Sequence, residues 1–325
     1  MQVSPTLVHS RPIEGPTAWV QRDFQNPAVW DYHLTPETIG ELDRAITAIR
    51  AGGKQLGSLT AADFDLPSFR EPAETLRAEL GAGRGFVVVK GLPIARYTED
   101  EAAMAYWGLG AFLGRPLPQN VQGERLYAVR DEGYQIARDW GTVGVRFSKT
   151  TEGLNFHTDS APALMGNTPD VVGLLALQVA KSGGASALVS ATSVHNVMLA
   201  ERPDLLARLY QPYHFDRRAE LRTGESSTLV APVFRYADSL QVRYFRFYIP
   251  QGHEIAGAPL TDADVAPLDF LDKVMNRSEL QVTFEMQPGD MQFVSNTFVL
   301  HSRTRFEDHA GPERRRHLKR LWLQF

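Results

Sequence analysis

The chain has 325 residues, 43% of them hydrophobic and 10% aromatic, enough to bury a large core. Thirty-four basic against 38 acidic residues leave a net charge of −4, which supplies no general field for nucleic acid or an anionic membrane surface. There is no cysteine, so disulfides, thiolate zinc sites, iron–sulfur clusters and cysteine nucleophiles are excluded and any metal must be held by His, Asp or Glu.

The N-terminal stretch lacks a basic region followed by an apolar one, and no run approaches the roughly 18 apolar residues of a membrane span; the expected setting is cytoplasmic. Thr35-Pro36 predicts a capped helix, with Ile39, Leu42, Ile46 and Ile49 at helical spacing until Gly52-Gly53. Phe86 to Val89, bounded by glycines, predicts a buried strand. Thr98 with Glu101 forms a capping box that opens a helix through Leu113. Gly108, Gly110 and Gly114 lie in or just beyond that helix, where they serve helix packing better than a phosphate loop.

From about Gly153 the texture changes to short β-rich runs between turn residues. Val171 to Ala180 and Ala185 to Ser190 flank Ser182-Gly183-Gly184 as a hairpin signal, and Thr228 to Phe234 and Leu240 to Ile249 flank Ala237-Asp238-Ser239. Leu280 to Met286 and Met291 to Val294 flank Gln287-Pro288-Gly289-Asp290, and Phe298 to Leu300 and Leu318 to Phe325 close the series. Helical insertions fall at Val194–Tyr210 and after Thr261, where Asp264 completes a capping box. The prediction is a mainly β chain with helical insertions: a double-stranded β-helix, or jelly roll, over residues 86–325 with an N-terminal α/β flank over 1–85, in one domain.

His157-Thr158-Asp159 has metal-ligand spacing. On a strand, residues i and i+2 share a face, so imidazole and carboxylate would converge. His301, at the end of the apolar run Phe298-Val299-Leu300, supplies a third ligand from another strand. Two imidazoles and one carboxylate make the facial triad of non-haem Fe(II) oxygenases. A second match, His214-Phe215-Asp216, is bounded by Pro212-Tyr213 and Arg217-Arg218 and reads as surface structure with salt-bridge partners for Asp216. Of the basic residues 28 are arginines, and two of them are placed for chemistry. Arg316, 15 residues beyond His301, starts a run that enters an apolar strand, where a guanidinium can fork the far carboxylate of a chelating dicarboxylate. Arg320 shares its parity, hence its face. Arg303, Arg305, Arg314 and Arg315 mingle with Glu307, Asp308 and Glu313 as a solvated, ion-paired face.

The runs Asn155-Phe156-His157-Thr158-Asp159, Ser182-Gly183-Gly184-Ala185-Ser186, Gln287-Pro288-Gly289-Asp290, Leu300-His301-Ser302-Arg303-Thr304 with Phe306-Glu307-Asp308, and Arg315-Arg316-His317-Leu318 resemble the TauD/TfdA-like Fe(II)/2-oxoglutarate-dependent dioxygenases, in order and spacing, from roughly Phe86 onward. The resemblance implies iron bound by His157, Asp159 and His301. It also implies 2-oxoglutarate held by Arg316 and the Ser186 hydroxyl, although Ser186 equally serves to finish a hairpin. Arg320 matches a substrate-contacting position, with 2-oxoglutarate support or a buried acid as its other assignments. Tyr244, Arg246 and Tyr248 alternate along a predicted strand and are substrate-wall candidates; half-buried strand positions explain the same pattern. The remaining walls fall to the 120–155 region and the segment between Tyr213 and Thr228.

The implied reaction is O2-dependent hydroxylation of an unactivated C–H bond in a small anionic or amino-acid-like substrate, with release of succinate and CO2. Desaturation, epoxidation and ring formation are its variants. A zinc hydrolase and a degenerate jelly-roll binding protein are the competing readings; the first leaves Arg316 without a purpose, and the second is disfavoured by an intact ligand set. No nucleic-acid or membrane partner is expected, and homo-oligomers are common in the family.

Overall fold

A computed structural model describes residues 7–140, 145–160, 168–218, 221 and 224–325. In chain order the flank carries β1 (Asp31–His33), α1 (Pro36–Ala51), α2 (Pro67–Gly81), β2 (Phe86–Lys90) and α3 (Glu99–Leu113). Then come β3 (Arg115–Pro116), β4 (Leu126–Val129), α4 (Ile136–Asp139), β5 (Leu154–His157), β6 (Val171–Gln178), β7 (Ser182–Gly183) and β8 (Ser186–Ser190). The insertions are α5 (Ala191–Glu201), α6 (Pro203–Leu209), β9 (Pro212–Asp216), β10 (Thr228–Pro232), β11 (Phe234–Tyr236), β12 (Leu240–Val242), α7 (Tyr248–Ile255) and α8 (Asp262–Met275). The last strands are β13 (Gln281–Phe284), β14 (Met291–Ser295), β15 (Val299–Arg303), β16 (Phe306–Glu307) and β17 (His317–Gln324).

Two sheets form the sandwich. The larger has seven strands in the order β1-β2-β14-β6-β17-β3, with β4 also on β17; the smaller has four, β13-β8-β15-β5. The uniform apolar run of β2 follows from burial on both faces. Val87 and Val89 pack outward against α1, α2 and α3, whereas Phe86 and Val88 face Leu188, Val282 and Val299 of the smaller sheet. The smaller sheet is covered in turn: Ala187, Val189 and Leu300 pack under Val194, Met198, Leu206 and Leu271 of the inserted helices. On β17 the same alternation sends Leu321 and Leu323 toward α3 and Leu318 and Trp322 inward.

The predicted helix caps are present: Thr35 accepts from Thr38 N, and Thr98/Glu101 and Thr261/Asp264 form reciprocal boxes. The strand connections require correction. The runs about Ser182-Gly183-Gly184 do not pair with each other; β6 lies in the seven-stranded sheet and β8 in the four-stranded one, and β7 pairs with β16 instead. Turn chemistry identifies the reversal but not which sheet receives the next strand. Around Ala237-Asp238-Ser239 the hairpin is real but short, β11 with β12, and β10 pairs with β9. The expected Leu240–Ile249 strand stops at Val242, and the chain turns into α7. The insertion at Val194–Tyr210 is two helices, broken at Arg202 before Pro203. No helix among the described residues is long and apolar enough to cross a membrane.

The glycines of α3 let it lie close to its neighbours: a Cβ on Gly108 would fall 2.6 Å from ring carbons of buried Phe64, and one on Gly110 2.8 Å from Leu321. Gly108→Ala is therefore expected to destabilise the protein by about 1–3 kcal/mol through overpacking. A lowered denaturant midpoint is the check; an unchanged midpoint would mean that the Phe64 ring moves aside without cost.

Candidate active site

β15 pairs with β5 so that His301 lies directly across from His157, their ring centroids 4.2 Å apart. Asp159 is not on the strand, since β5 ends at His157 and the chain turns. The turn is pinned by reciprocal bonds: Thr158 N donates to Tyr244 O (2.8 Å) and Tyr244 N to Thr158 Oγ1 (3.1 Å). Asn296, just beyond β14, closes the clamp by accepting from Asp159 N (2.8 Å) and donating to Asp159 O (3.0 Å). Ser160 then takes a left-handed backbone, φ 52°. Convergence thus comes from a clamped turn rather than from strand alternation. Asn296 escaped the sequence reading, because an asparagine between two apolar strands gives no sign of which loop it holds.

The carboxylate completes the cluster. Asp159 Oδ1 is 3.4 Å from His157 Nε2 and 3.6 Å from His301 Nε2, and all three residues are buried. His157 Nδ1 donates to Asn155 O at 2.9 Å, which leaves Nε2 as the lone-pair nitrogen. The other carboxylate oxygen is occupied: Oδ2 accepts from Trp322 Nε1 (2.7 Å) and faces Arg320 Nη1 (3.1 Å). Burial opposes the Asp159 charge, but Arg320 and the two imidazoles outweigh it and hold the carboxyl well below its ordinary range. Burial, with His157 beside it, pushes the His301 imidazolium down, so the neutral ring is favoured. One carboxylate oxygen and two imidazole nitrogens converging on one point are the donor set that would hold a non-haem iron. Among the described residues, this is the one group of three His, Cys, Asp or Glu side chains close enough to hold a metal.

The second match lies elsewhere. His214 and Asp216 stand on β9, with His214 Nδ1 near Thr228 Oγ1 (3.2 Å). Contrary to the surface assignment, Asp216 is buried; it accepts from Arg218 N at 2.7 Å and faces Arg218 Nη1 at 3.7 Å, so its expected salt-bridge partner is present.

Arg316 is buried just before β17, its guanidinium 5.0 Å from the Phe306 ring centroid, and Gly184 passes close enough that a Cβ there would sit 3.4 Å from its Nε. Its Nη1 has no hydrogen-bond partner among the described residues. Burial and the like charge of Arg303 push Arg316 down to about 9. Arg303 corrects the solvated-face reading: it turns inward, donates to the carbonyls of Phe147, Thr150 and Glu152, and lies 4.9 Å from the same Phe306 ring. Arg305, Arg314 and Arg315 are exposed as expected. Ser186 starts β8 opposite Arg303.

Arg320 is committed to Asp159 and to Gln119, whose Oε1 accepts from its Nε at 2.7 Å, so the buried-acid assignment applies and the acid is the metal-facing carboxylate itself. Tyr244 and Arg246 point away from the triad: Tyr244 Oη donates to Asp272 (2.7 Å) and Arg246 to Asp269 (2.6 Å), both on α8. Strand alternation fails there because β12 has already ended. Phe245 and Tyr248 instead line a cavity of about 390 Å³ that reaches His157, Asp159 and Trp322. The 120–155 region and the Arg217-Arg218 segment contribute its other walls, as expected; positions 141–144, 219, 220, 222 and 223 of those segments lie outside the described residues.

The chain is 28% identical over 317 residues to FR-33289 synthase of Streptomyces rubellomurinus, covering 96% of this chain and 90% of that protein. It is 26% identical over 314 residues to the taurine hydroxylase-like protein SAT17 of Stachybotrys chartarum, covering 94% and 77%. Among solved structures it superposes on asparagine oxygenase in complex with Fe(II), 2S,3S-3-hydroxyasparagine and succinate (TM-score 0.68, 16% identity, 91% of this chain and 93% of that one). It also superposes on the non-haem iron oxygenase OrfP in complex with Fe and alpha-ketoglutaric acid (TM-score 0.63, 18% identity, 90% and 93%). The family described as taurine catabolism dioxygenase TauD, TfdA matches residues 51–322, a span that includes every strand from β2 to β16 and most of β17. With the His-Asp-His cluster between its two sheets, the chain belongs to the TauD/TfdA family of Fe(II)/2-oxoglutarate-dependent oxygenases.

Proposed function

We propose that the enzyme hydroxylates an unactivated C–H bond of a small anionic or amino-acid-like substrate, with His157, Asp159 and His301 as iron ligands and Arg316, aided by Ser186, as the receptor for the far carboxylate of 2-oxoglutarate. The observation that carries this reading is a buried triad with one free carboxylate oxygen, accompanied by a buried guanidinium whose Nη1 has no partner. Iron(II) and 2-oxoglutarate, when bound, supply the O2 activation that oxidises the C–H bond, and 2-oxoglutarate leaves as succinate and CO2. Hydroxylation is favoured because asparagine oxygenase and OrfP are crystallised with hydroxylated amino acids.

The protein's residues do the positioning. Trp322 and Arg320 hold Asp159 Oδ2, so the carboxylate offers Oδ1 alone and leaves the remaining coordination positions for co-substrates. Arg316, buried and with Nη1 unpartnered among the described residues, and half-buried Arg303, already bonded to carbonyls, flank Phe306, and a dicarboxylate would supply the anion that Arg316 lacks. Phe245, Tyr248 and Trp322 keep the cavity wall beside the triad partly apolar, which limits water near a strong oxidant.

Three expectations follow from these roles. Asp159→Ala should abolish substrate-coupled succinate formation, whereas Asp216→Ala should retain the visible band that Fe(II) and 2-oxoglutarate give together under anaerobic conditions; the reverse pattern would move the site to β9. Arg316→Gln should raise the dissociation constant of 2-oxoglutarate about tenfold or more in an anaerobic titration, since a charge-assisted fork is lost. Trp322→Phe, which removes the donor to Oδ2 and part of a buried ring, should weaken Fe(II) binding about 10–100-fold, measured by metal titration.

A further inference from the structure

With Arg320 committed to Asp159, the cavity beside the triad still has four cations in its wall among the described residues: Arg146, Lys149, Arg217 and Arg218. Lys149 pairs with Glu132 (3.1 Å) and Arg217 with Glu225 (2.9 Å). Arg218 is set differently. It has a left-handed backbone, φ 56°, which a residue with a side chain rarely adopts, and its guanidinium stacks 3.5 Å from the Trp140 ring centroid while Nη2 donates to Trp140 O (2.6 Å). Its Nε is buried with no partner among the described residues, and its salt bridge to Asp216 is long, 3.7 Å from Nη1. Ser160 and Arg218 are the two non-glycine residues with positive φ among the described residues, and both line this one cavity.

Arg146 lines the same cavity wall, its Nη1 donating to Val145 O at 3.0 Å; burial, followed by the like charge of Arg146, pushes the Arg218 guanidinium down against the opposing pull of Asp216. Guanidiniums fixed together in a cavity wall suit an oxyanion, to which each can present forked donors. An ammonium would find less. Among the described residues the acids in the wall are Asp159 and Glu124, and the Glu124 carboxylate already accepts from Asn120 Nδ2.

We propose that Arg218 and Arg146, with Arg217 beside them, form the receptor for an oxyanion on the primary substrate, so that the substrate is a small organic acid held by that end while its reacting carbon lies toward Phe245 and Asp159. This rests on the function proposed above and assigns the substrate contact to the Arg146/Arg218 pair in place of Arg320. Arg316 does not line this cavity, so the receptor is separate from the one assigned to 2-oxoglutarate.

The test titrates the anaerobic Fe(II)/2-oxoglutarate enzyme with butyrate, propane-1-sulfonate, propylphosphonate and n-butylammonium, following perturbation of the visible band and Trp140 fluorescence. The acids should bind and n-butylammonium should not, with the tightest acid identifying the head group. Arg218→Gln and Arg146→Gln should each raise the dissociation constant of that acid about tenfold or more, Arg218→Lys should raise it less, and the affinity for 2-oxoglutarate should not change. If Arg218→Gln unfolds, Arg146→Gln, which has no part in the Trp140 stack, decides. Equal binding of n-butylammonium, acids that merely compete with 2-oxoglutarate, or changes within about twofold in both glutamine variants would overturn the proposal. A wild-type enzyme with no 2-oxoglutarate-dependent band would sink the iron and 2-oxoglutarate assignment instead, and a fluorescence change on adding the acids that is lost in Trp140→Phe would still report whether they bind at Arg218.

Discussion

The Asp159 carboxylate is the point through which the two sheets are joined chemically. Its Oδ1 faces imidazoles carried by β5 and β15 of the smaller sheet, and its Oδ2 is held by Trp322 and Arg320 from β17 of the larger one. A buried carboxylate is costly unless its lone pairs and charge are answered. Here the answer comes from both sides of the sandwich at once. The separation of the sheets, the inward parity of β17 and the clamp by Asn296 all have to be correct for that one group to be satisfied.

The same accounting explains how cations are distributed around the centre. Half-buried Arg303 and buried Arg316 lie against Phe306, whereas Arg146 and Arg218 share a cavity wall with Trp140 beneath Arg218. In each pair a like charge adds to burial in pushing one guanidinium down, Arg316 beside Arg303 and Arg218 beside Arg146. Arg320, by contrast, has its anion built in. The three arginine environments therefore differ in how much of their counter-charge the protein itself supplies: Arg320 faces Asp159 at 3.1 Å, Arg218 faces Asp216 at 3.7 Å, and Arg316 Nη1 has no hydrogen-bond partner among the described residues.

The triad was legible because His157 and His301 end apolar strand runs and Asp159 follows two residues after the first, although a clamped turn, and not strand alternation, brings the carboxylate in. The parity argument that linked Arg316 with Arg320 also reaches Leu318 and Trp322, so the indole donor to Asp159 was within reach of the same reasoning. Tyr244 and Arg246 were misplaced because a period of two was extended beyond Val242, where the strand ends and the backbone turns into α7. Arg303 was misread because its neighbours in sequence are charged, while its neighbours in space are the carbonyls of the 147–152 segment. The sheet assignment of β6 and β8 was hidden for a related reason: a glycine turn records that the chain reverses, and long-range packing decides where it goes.

The position of β17 bears on how the molecule is made. It is the last strand of the sandwich to be synthesised, yet it lies between β6 and β3, with β4 also paired to it. Until it emerges, β6 has an open edge, Asp159 Oδ2 has neither Trp322 nor Arg320, and the interior between the sheets has a missing wall. A nascent chain holding both histidines and the aspartate is thus not yet an oxidising centre, because the strand that aligns the carboxylate also closes the barrel. Competence to handle oxygen arrives together with the walls that contain it.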